Sequence, residues 1–159
     1  MANGTSVHIN IAGDKEVAKM LESVALEVND LKPAMQDIGK YLKSFFAGEV
    51  FASRGSVIGH PWMRLSDDYA ARKAKKYPGR SLLVRTGTMQ RSFVSKAQPL
   101  KVEISNSAKH FVYHQSSDGR TIMPYRPMMD VQTNDARYQK IVQMITAHLA
   151  KAIKEKEVA

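Results

Sequence analysis

Residues 59–92 read GHPWMRLSDDYAARKAKKYPGRSLLVRTGTMQRS, and the features that decide fold and function are concentrated there. The stretch holds the only tryptophan, Trp62, directly behind Gly59-His60-Pro61. Its second half has seven basic residues and no acidic one: Arg72, Lys73, Lys75, Lys76, Arg80, Arg85 and Arg91. No other part of the chain has so dense a run of one charge, so the search for function starts here.

The stretch begins in a loop and continues into a helix. Glycines and a proline predict an irregular loop over residues 54–65, which Trp62 and Leu65 are expected to anchor to the core. Ser66 is a good N-cap, and acidic residues in the next turn suit the positive end of a helix dipole. The spacing predicts a helix that reaches about Lys76.

Upstream of the loop, the pattern predicts a strand followed by two helices. Residues 6–12 alternate apolar and polar side chains, which is typical of a half-buried strand. Apolar residues at helical spacing then predict a helix from Asp14 to about Asn29. A second apolar stripe, from Pro33 to about Val50, predicts another helix, which Gly39 and Gly48 weaken.

Downstream, four further segments are predicted. A short helix is expected over residues 87–93, a strand over residues 100–105, and an extended segment between Pro124 and Pro127. The clearest helix starts near Asp135 and carries one apolar stripe to Ile153, with residues 154–159 expected to fray. The sum is an α+β fold, with two or three long helices packed on a small, largely antiparallel β-sheet and an extended central loop.

Length and composition predict one globular domain over residues 1–159. The chain has 43% apolar and 25% charged residues, and no run of eighteen apolar residues. We expect neither a signal peptide nor a membrane partner. The absence of cysteine excludes disulfides, thiol catalysis and thiolate metal sites, and fits assembly in a reducing cytoplasm.

The formal net charge of +9 lies mainly in the middle of the chain. Residues 51–96 carry ten basic residues against Asp67 and Asp68, a net +8, whereas residues 1–50 are net −2 and residues 97–159 net +3. Such a field attracts nucleic acid, anionic lipid or an acidic protein face, and charge alone does not choose among them.

No pattern in the sequence supports catalysis, a metal or a cofactor. Of the five histidines only His110 and His114 are spaced as neighbours on a helix, and no carboxylate lies between them. No G-x-S-x-G elbow or glycine-rich phosphate loop occurs. We therefore expect a protein that is not an enzyme and has no cofactor, and we expect His114-Gln115 to hydrogen-bond backbone.

The order of several short motifs resembles the phage virion-morphogenesis family, the tail-completion or neck proteins of tailed phages and Mu-like prophages. The motifs are PW..L...Y...K, LL.RTG.M..SF, YHQ and P.RPMM, within roughly residues 50–150. The matching residues are Pro61, Trp62, Leu65, Tyr69, Lys73, Leu82, Leu83, Arg85, Thr86, Gly87, Ser92, Tyr113, His114, Gln115, Pro124, Arg126 and Pro127.

This resemblance implies a structural virion protein that acts in tail completion and head–tail joining at the neck. It implies a homo-oligomeric ring, with six copies to match tail symmetry, assembled in the cytoplasm of the bacterial host. The implied partners are other neck and tail proteins, namely the tail terminator or tube and the head connector. Genome DNA passing through the ring is expected to make at most non-specific contact.

Conspicuous residues in these motifs are predicted to form the partner and oligomer interface. They are Trp62, Arg72, Lys73, Lys75, Lys76, Arg80, Arg85 and Arg126. The loop and basic turn over residues 54–80 are expected to become ordered on assembly. The remaining motif residues, Pro61, Leu65, Tyr69, Thr86, Gly87, Ser92, His114, Gln115, Pro124 and Pro127, are assigned structural roles.

Two other interpretations of the basic run stay open. It is a solvated helix face and turn, or it makes the chain a non-specific nucleic-acid-binding module that uses residues 72–91. Nucleic-acid modules usually place base-stacking aromatics among their charges, whereas only Tyr69 and Tyr77 flank this run. Contact with neighbouring proteins is therefore the preferred interpretation.

Overall fold

A computed structural model describes residues 6–9, 31–117 and 123–157 of the chain. Its helices are α1 (Lys32–Ala47), α2 (Glu49–Ala52), α3 (Asp67–Lys76), α4 (Thr88–Arg91), α5 (Phe111–Gln115) and α6 (Ala136–Glu157). Its strands are β1 (Ser6–Ile9), β2 (Phe93–Gln98) and β3 (Lys101–Asn106). The predicted helix from Asp14 to Asn29 lies outside the described residues. The predicted α+β class is confirmed.

The strands form one three-stranded sheet in the order β1-β3-β2. Strands β2 and β3 are an antiparallel hairpin closed by Pro99-Leu100. Along β3 the side chains of Val102, Ile104 and Asn106 are buried, and their neighbours are half-buried, as expected for a strand with one face on a core. Asn106 is polar, but its amide donates to the Met89 carbonyl and accepts from the Ala108 amide, so its burial leaves no group unpaired.

The described residues divide into two compact units, each assembled from separate stretches of the chain. One unit contains residues from Val7–Leu42, Ser95–Ile104 and Val131–Ala159. Within it, a Cβ atom on Gly39 would lie 3.1 Å from both the Ser95 Cβ and the Val102 Cγ2. Glycine therefore lets α1 approach the sheet closely. The prediction of a single domain over residues 1–159 stays a prediction.

The other unit contains Ser6 and described residues from Lys43–Val94 and Ser105–Asp130. Its core is aromatic: the ring of Phe46 packs against Phe45 at 5.4 Å and Phe93 at 6.2 Å, and Phe93 meets Phe111 edge-on at 5.8 Å. All four rings are nearly or fully buried. Such pairs add stabilisation beyond the apolar area that they bury.

Most predicted helices are confirmed, with small changes at their ends. The second predicted helix is α1 followed by α2, with Gly48 as the one residue between them outside a helix. The helix capped by Ser66 is α3, although the Ser66 side chain makes no capping hydrogen bond. The last helix, α6, continues to Glu157, into the stretch expected to fray. None of the described helices is long and apolar enough to cross a bilayer.

Candidate functional site

Trp62 holds the central loop in place. Its side chain is 6% exposed, its indole Nε1 donates to the Pro127 carbonyl over 2.7 Å, and its ring meets Phe51 edge-on at 5.3 Å. The loop contains one turn of 3-10 helix, Ser56–Ile58. The prediction that the tryptophan anchors this loop is confirmed, and Leu65 beside it is half-buried.

Arg126 ties the same loop to two other segments. Its guanidinium donates to the Met63 carbonyl over 2.9 Å and to the Arg64 carbonyl over 3.0 Å, and its backbone amide donates to the His114 carbonyl. Only 5% of Arg126 is exposed. A planar fork with several donors can satisfy two neighbouring carbonyls at once, which a lysine ammonium does less well. Arg126 is thus a positioning residue of the loop.

Gln115 makes a matching set of contacts at the end of α5. Its side-chain oxygen accepts from the amides of Met128 and Met129 at 2.9 and 3.1 Å, and its Nε2 donates to the Met129 carbonyl over 2.7 Å. The amide therefore binds backbone as predicted. Between Pro124 and Asp130 this segment has no helix or strand, so side chains supply the partners that regular structure would otherwise provide.

His114 is buried beside these residues without a hydrogen bond to its Nδ1 from any described residue. At Nδ1, therefore, the described residues do not supply the backbone hydrogen bond that we expected of His114. Burial lowers the pKa of His114 to about 4, with smaller contributions from Arg126 and His110. The ring is accordingly neutral near pH 7.

Helix α3 buries only one of its ten side chains, and that side chain is a lysine. Lys73 is 8% exposed, and its Nζ donates to the Ser81 carbonyl in the turn after the helix. Burial lowers the pKa of Lys73. A lysine can bury its aliphatic stem while its ammonium reaches a polar partner. Here the ammonium closes the turn, so this residue fixes how the helix and the turn meet.

The other six cations of the run are all exposed, and we refer to them together as the basic surface. It consists of Arg72, Lys75, Lys76, Arg80, Arg85 and Arg91, and none of the six forms an ion pair with a described residue. The Lys76 Nζ and Arg85 Cζ lie 5.8 and 5.6 Å from the centroid of the Tyr77 ring. Tyr77 thus makes cation–π contacts with two of the six cations.

Residues of the RTG motif shape the turn that follows. Gly87 has a φ of +78° directly before α4, a conformation that favours glycine. Arg91 donates to the Thr86 carbonyl over 2.8 Å, and the Ser92 hydroxyl donates to the Thr88 carbonyl over 2.7 Å. These residues have local structural contacts, as the sequence suggested.

The eight residues predicted to form an interface fall into two groups. Arg72, Lys75, Lys76, Arg80 and Arg85 are exposed, whereas Trp62, Lys73 and Arg126 are buried and bonded within the chain. The buried three can position an interface but offer little surface to a partner. Among the structural residues, Pro127 is buried and Pro124 half-buried, while Pro61 and Tyr69 are exposed.

Sequence reasoning missed the exposed alanines of α3. Ala70, Ala71 and Ala74 lie between the cations and are exposed to solvent. Alanine beside lysine is ordinary helix composition, so nothing in the pattern marks these residues. Over the described ranges no group of three histidine, aspartate or glutamate side chains is placed to hold a metal ion.

Comparison with family models matched residues 12–150 to a model described as the phage virion morphogenesis family. Comparison with curated proteins and with solved structures gave no match. The match covers the loop, the basic surface and the segments that Arg126 and Gln115 hold together.

Proposed function

We propose that this chain, which belongs to the phage virion morphogenesis family, is a structural subunit that completes the tail and joins it to the head. Family membership supports a structural or assembly role in a phage virion. It likewise supports association with the virion, and the family is one of assembly rather than of enzymes. The neck location and the joining step are the proposed refinement.

The basic surface is the observation that best supports this proposal. Six cations without ion-pair partners among the described residues repel one another, and an assembled particle can offset that repulsion by placing carboxylates opposite them. Charges at an interface contribute mainly to the rate and specificity of association. A subunit that must find one place in a growing particle benefits from both.

We propose further that copies form a closed ring of six. A ring needs heterologous contacts, in which one surface of each subunit meets a different surface of the next. Weak contacts repeated around a ring give a stable assembly. The partners would be the tail terminator or tube on one side and the head connector on the other, with genome DNA passing through the centre.

The joining role is tested by removing the gene from a phage that encodes the chain. Filled heads and finished-length tails should then accumulate separately in lysates, and adding purified protein should join them. Electron microscopy and a plaque assay provide the two readouts. Normal numbers of joined particles without the gene would contradict the proposal.

Non-specific nucleic-acid binding is the second candidate function, because the same cations suit phosphates. It predicts an affinity that falls steeply with salt, because the release of counterions from DNA gains less free energy as the bulk salt concentration rises. Retention of duplex DNA at ~200 mM salt in a gel-shift assay would favour this function over the first.

A further inference from the structure

Strand β2 lies at one edge of the sheet. The strand order β1-β3-β2 leaves no strand of the described residues beyond it. On its other side β2 pairs with β3 through the two-residue loop Pro99-Leu100. An edge strand presents a row of backbone N–H and C=O groups that another strand can complete. The edge therefore selects one class of partner, an extended backbone.

The register of the hairpin shows which residues form this edge. A two-residue loop pairs Gln98 with Lys101, and at the far end the Ser107 amide donates to the Ser92 carbonyl. Both pairs fit one register without a bulge, so the even-numbered residues of β2 exchange hydrogen bonds with β3. The backbone groups of the odd-numbered residues point away from β3. These residues are Phe93, Ser95 and Ala97.

The accessible part of the edge is residues 95–98. Phe93 is only 1% exposed, whereas Ser95 and Ala97 are half-buried and alternate with exposed residues. No described residue outside the sheet forms a backbone hydrogen bond with Ser95 or Ala97. Prolines, bulges and charged side chains commonly protect an edge strand from pairing. Residues 95–98 have one such feature, Lys96.

Lys96 disfavours pairing between two β2 strands. If the outward groups of two copies bonded across a two-fold axis, each Lys96 would lie opposite or diagonal to the other, where like charges are destabilising. The other edge of the sheet avoids this conflict, because β1 has the sequence SVHI, without lysine or arginine. Its four residues also match the length of the accessible stretch.

We infer that residues 95–98 of each copy pair with β1 of the next copy, so that one β-sheet continues from subunit to subunit. The contact is heterologous, because the two edges are different surfaces of the chain, and a closed ring needs such a contact. Main-chain hydrogen bonds supply the affinity in this mode of binding, so the Lys96 side chain is not required. The inference rests on the proposed ring and names the contact that closes it.

The absence of cysteine allows a direct test by disulfide cross-linking. Lys96→Cys is combined with His8→Cys in one variant and with Val7→Cys in another, because neighbouring residues of a strand point to opposite faces. Within one copy β3 separates β1 from β2 by about 10 Å, too far for a disulfide, so any bond between them joins two copies.

Each variant is supplied to a phage lacking the gene, and the lysate is oxidised and followed by immunoblotting without reductant. We expect one of the two double variants to give a ladder of cross-linked species that reaches six copies. K96C alone should give no cross-linked species. Absence of a ladder from both double variants would overturn the inference, and so would dimers from K96C alone.

A proline at the edge tests the backbone contact itself. Ala97→Pro removes one outward N–H and leaves the hydrogen bonds to β3 intact, because residue 97 points away from β3. Ala97→Ser keeps that N–H and is the matched control. Both variants should melt at similar temperatures, but we expect A97P to give about tenfold less of the cross-linked ring than A97S. Equal amounts of ring from the two would contradict strand pairing at this edge.

An amine-reactive cross-linker, applied to the unaltered chain in the same lysates, separates this inference from the proposed ring. A ladder to six copies with this reagent, but no disulfide between β1 and β2, would leave the ring standing and overturn the strand contact. Disulfide-linked pairs with no species larger than two copies would support the strand contact and overturn the ring. No cross-linked species with either reagent would overturn both.

Discussion

Arg126 shows how one side chain holds an irregular loop. Its guanidinium donates hydrogen bonds to the carbonyls of Met63 and Arg64. Replacing Arg126 with lysine should therefore leave one of these carbonyls without a donor. We expect Arg126→Lys to lower the free energy of unfolding by about 2 kcal/mol, and the melting temperature by about 5 °C. Differential scanning calorimetry measures both.

The matched control is Arg64→Lys. The Arg64 side chain is exposed, and the contact with Arg126 uses only its backbone carbonyl, which lysine keeps. The control should melt like the unaltered protein. Equal melting temperatures for R126K and R64K would show that the fork at Arg126 does not stabilise the loop.

His114 makes stability depend on pH. Its pKa is about 4 in the folded chain, against about 6.5 when exposed, so between these values the unfolded chain takes up a proton that the folded chain does not. Stability should therefore fall as pH drops from 6.5 towards 4, by up to about 1.4 kcal/mol per pH unit, and should not change through this group above pH 6.5.

Urea unfolding at pH 7, 6 and 5 measures this slope. His114→Gln should flatten the slope, whatever it does to stability at pH 7, because the titrating group is gone. His110→Gln, at an exposed neighbour, should leave the slope nearly unchanged. A slope that survives in H114Q would assign the pH dependence to other residues.

At the scale of elements, two glycines with similar backbone angles allow the cost of backbone strain to be separated from the cost of steric crowding. Gly55 and Gly59 flank the short 3-10 helix with φ of +80° and +76°. A Cβ on Gly55 would lie 2.2 Å from the His60 carbonyl oxygen and 2.5 Å from the Trp62 Nε1, whereas one on Gly59 has no neighbour within 4 Å. Gly59→Ala should cost about 1 kcal/mol, and Gly55→Ala about 3 kcal/mol or more.

Chemical denaturation of the two variants measures the difference. G59A carries only the penalty of left-handed backbone, so it serves as the control for G55A. If both lose the same stability, the loop relaxes around the added methyl, and the close packing of Trp62 against Gly55 is not a constraint.

Elements whose apolar residues recur at a regular spacing were predictable from the sequence, and elements that depend on tertiary contacts were not. The alternation of Val102 and Ile104 predicted β3, and the apolar stripes predicted α1 and α6. Strand β2 was missed because Val94-Ser95-Lys96-Ala97 has no apolar alternation, and pairing with β3 supplies what the pattern lacks.

The candidate site was likewise predictable only in part. The basic run and the anchoring role of Trp62 could be predicted, since a large apolar side chain in a polar loop is expected to pack into the core. The sequence did not indicate which lysine of the run packs inward. Lys73 does so because its ammonium donates to the carbonyl of Ser81, eight residues later in the chain. The fork at Arg126 likewise depends on carbonyls more than sixty residues away.

At the scale of the whole molecule, the uneven charge is the feature that the proposal depends on. Residues 51–96 carry a net +8 of the total of +9, and the six cations of the basic surface are exposed without ion pairs to described residues. If these charges served only to keep this surface solvated, their positions would be unimportant. A docking role makes their position matter more than their number.

The direct test compares two triple variants with the same change of net charge. Arg72→Glu, Lys75→Glu and Lys76→Glu reverse the basic surface, whereas Lys43→Glu, Lys96→Glu and Lys109→Glu reverse exposed lysines elsewhere. Each is supplied to a phage lacking the gene, and joined infectious particles are counted. We predict a loss of at least about tenfold with the first triple and near-normal yield with the second. Equal yields from the two would contradict a docking role for the basic surface.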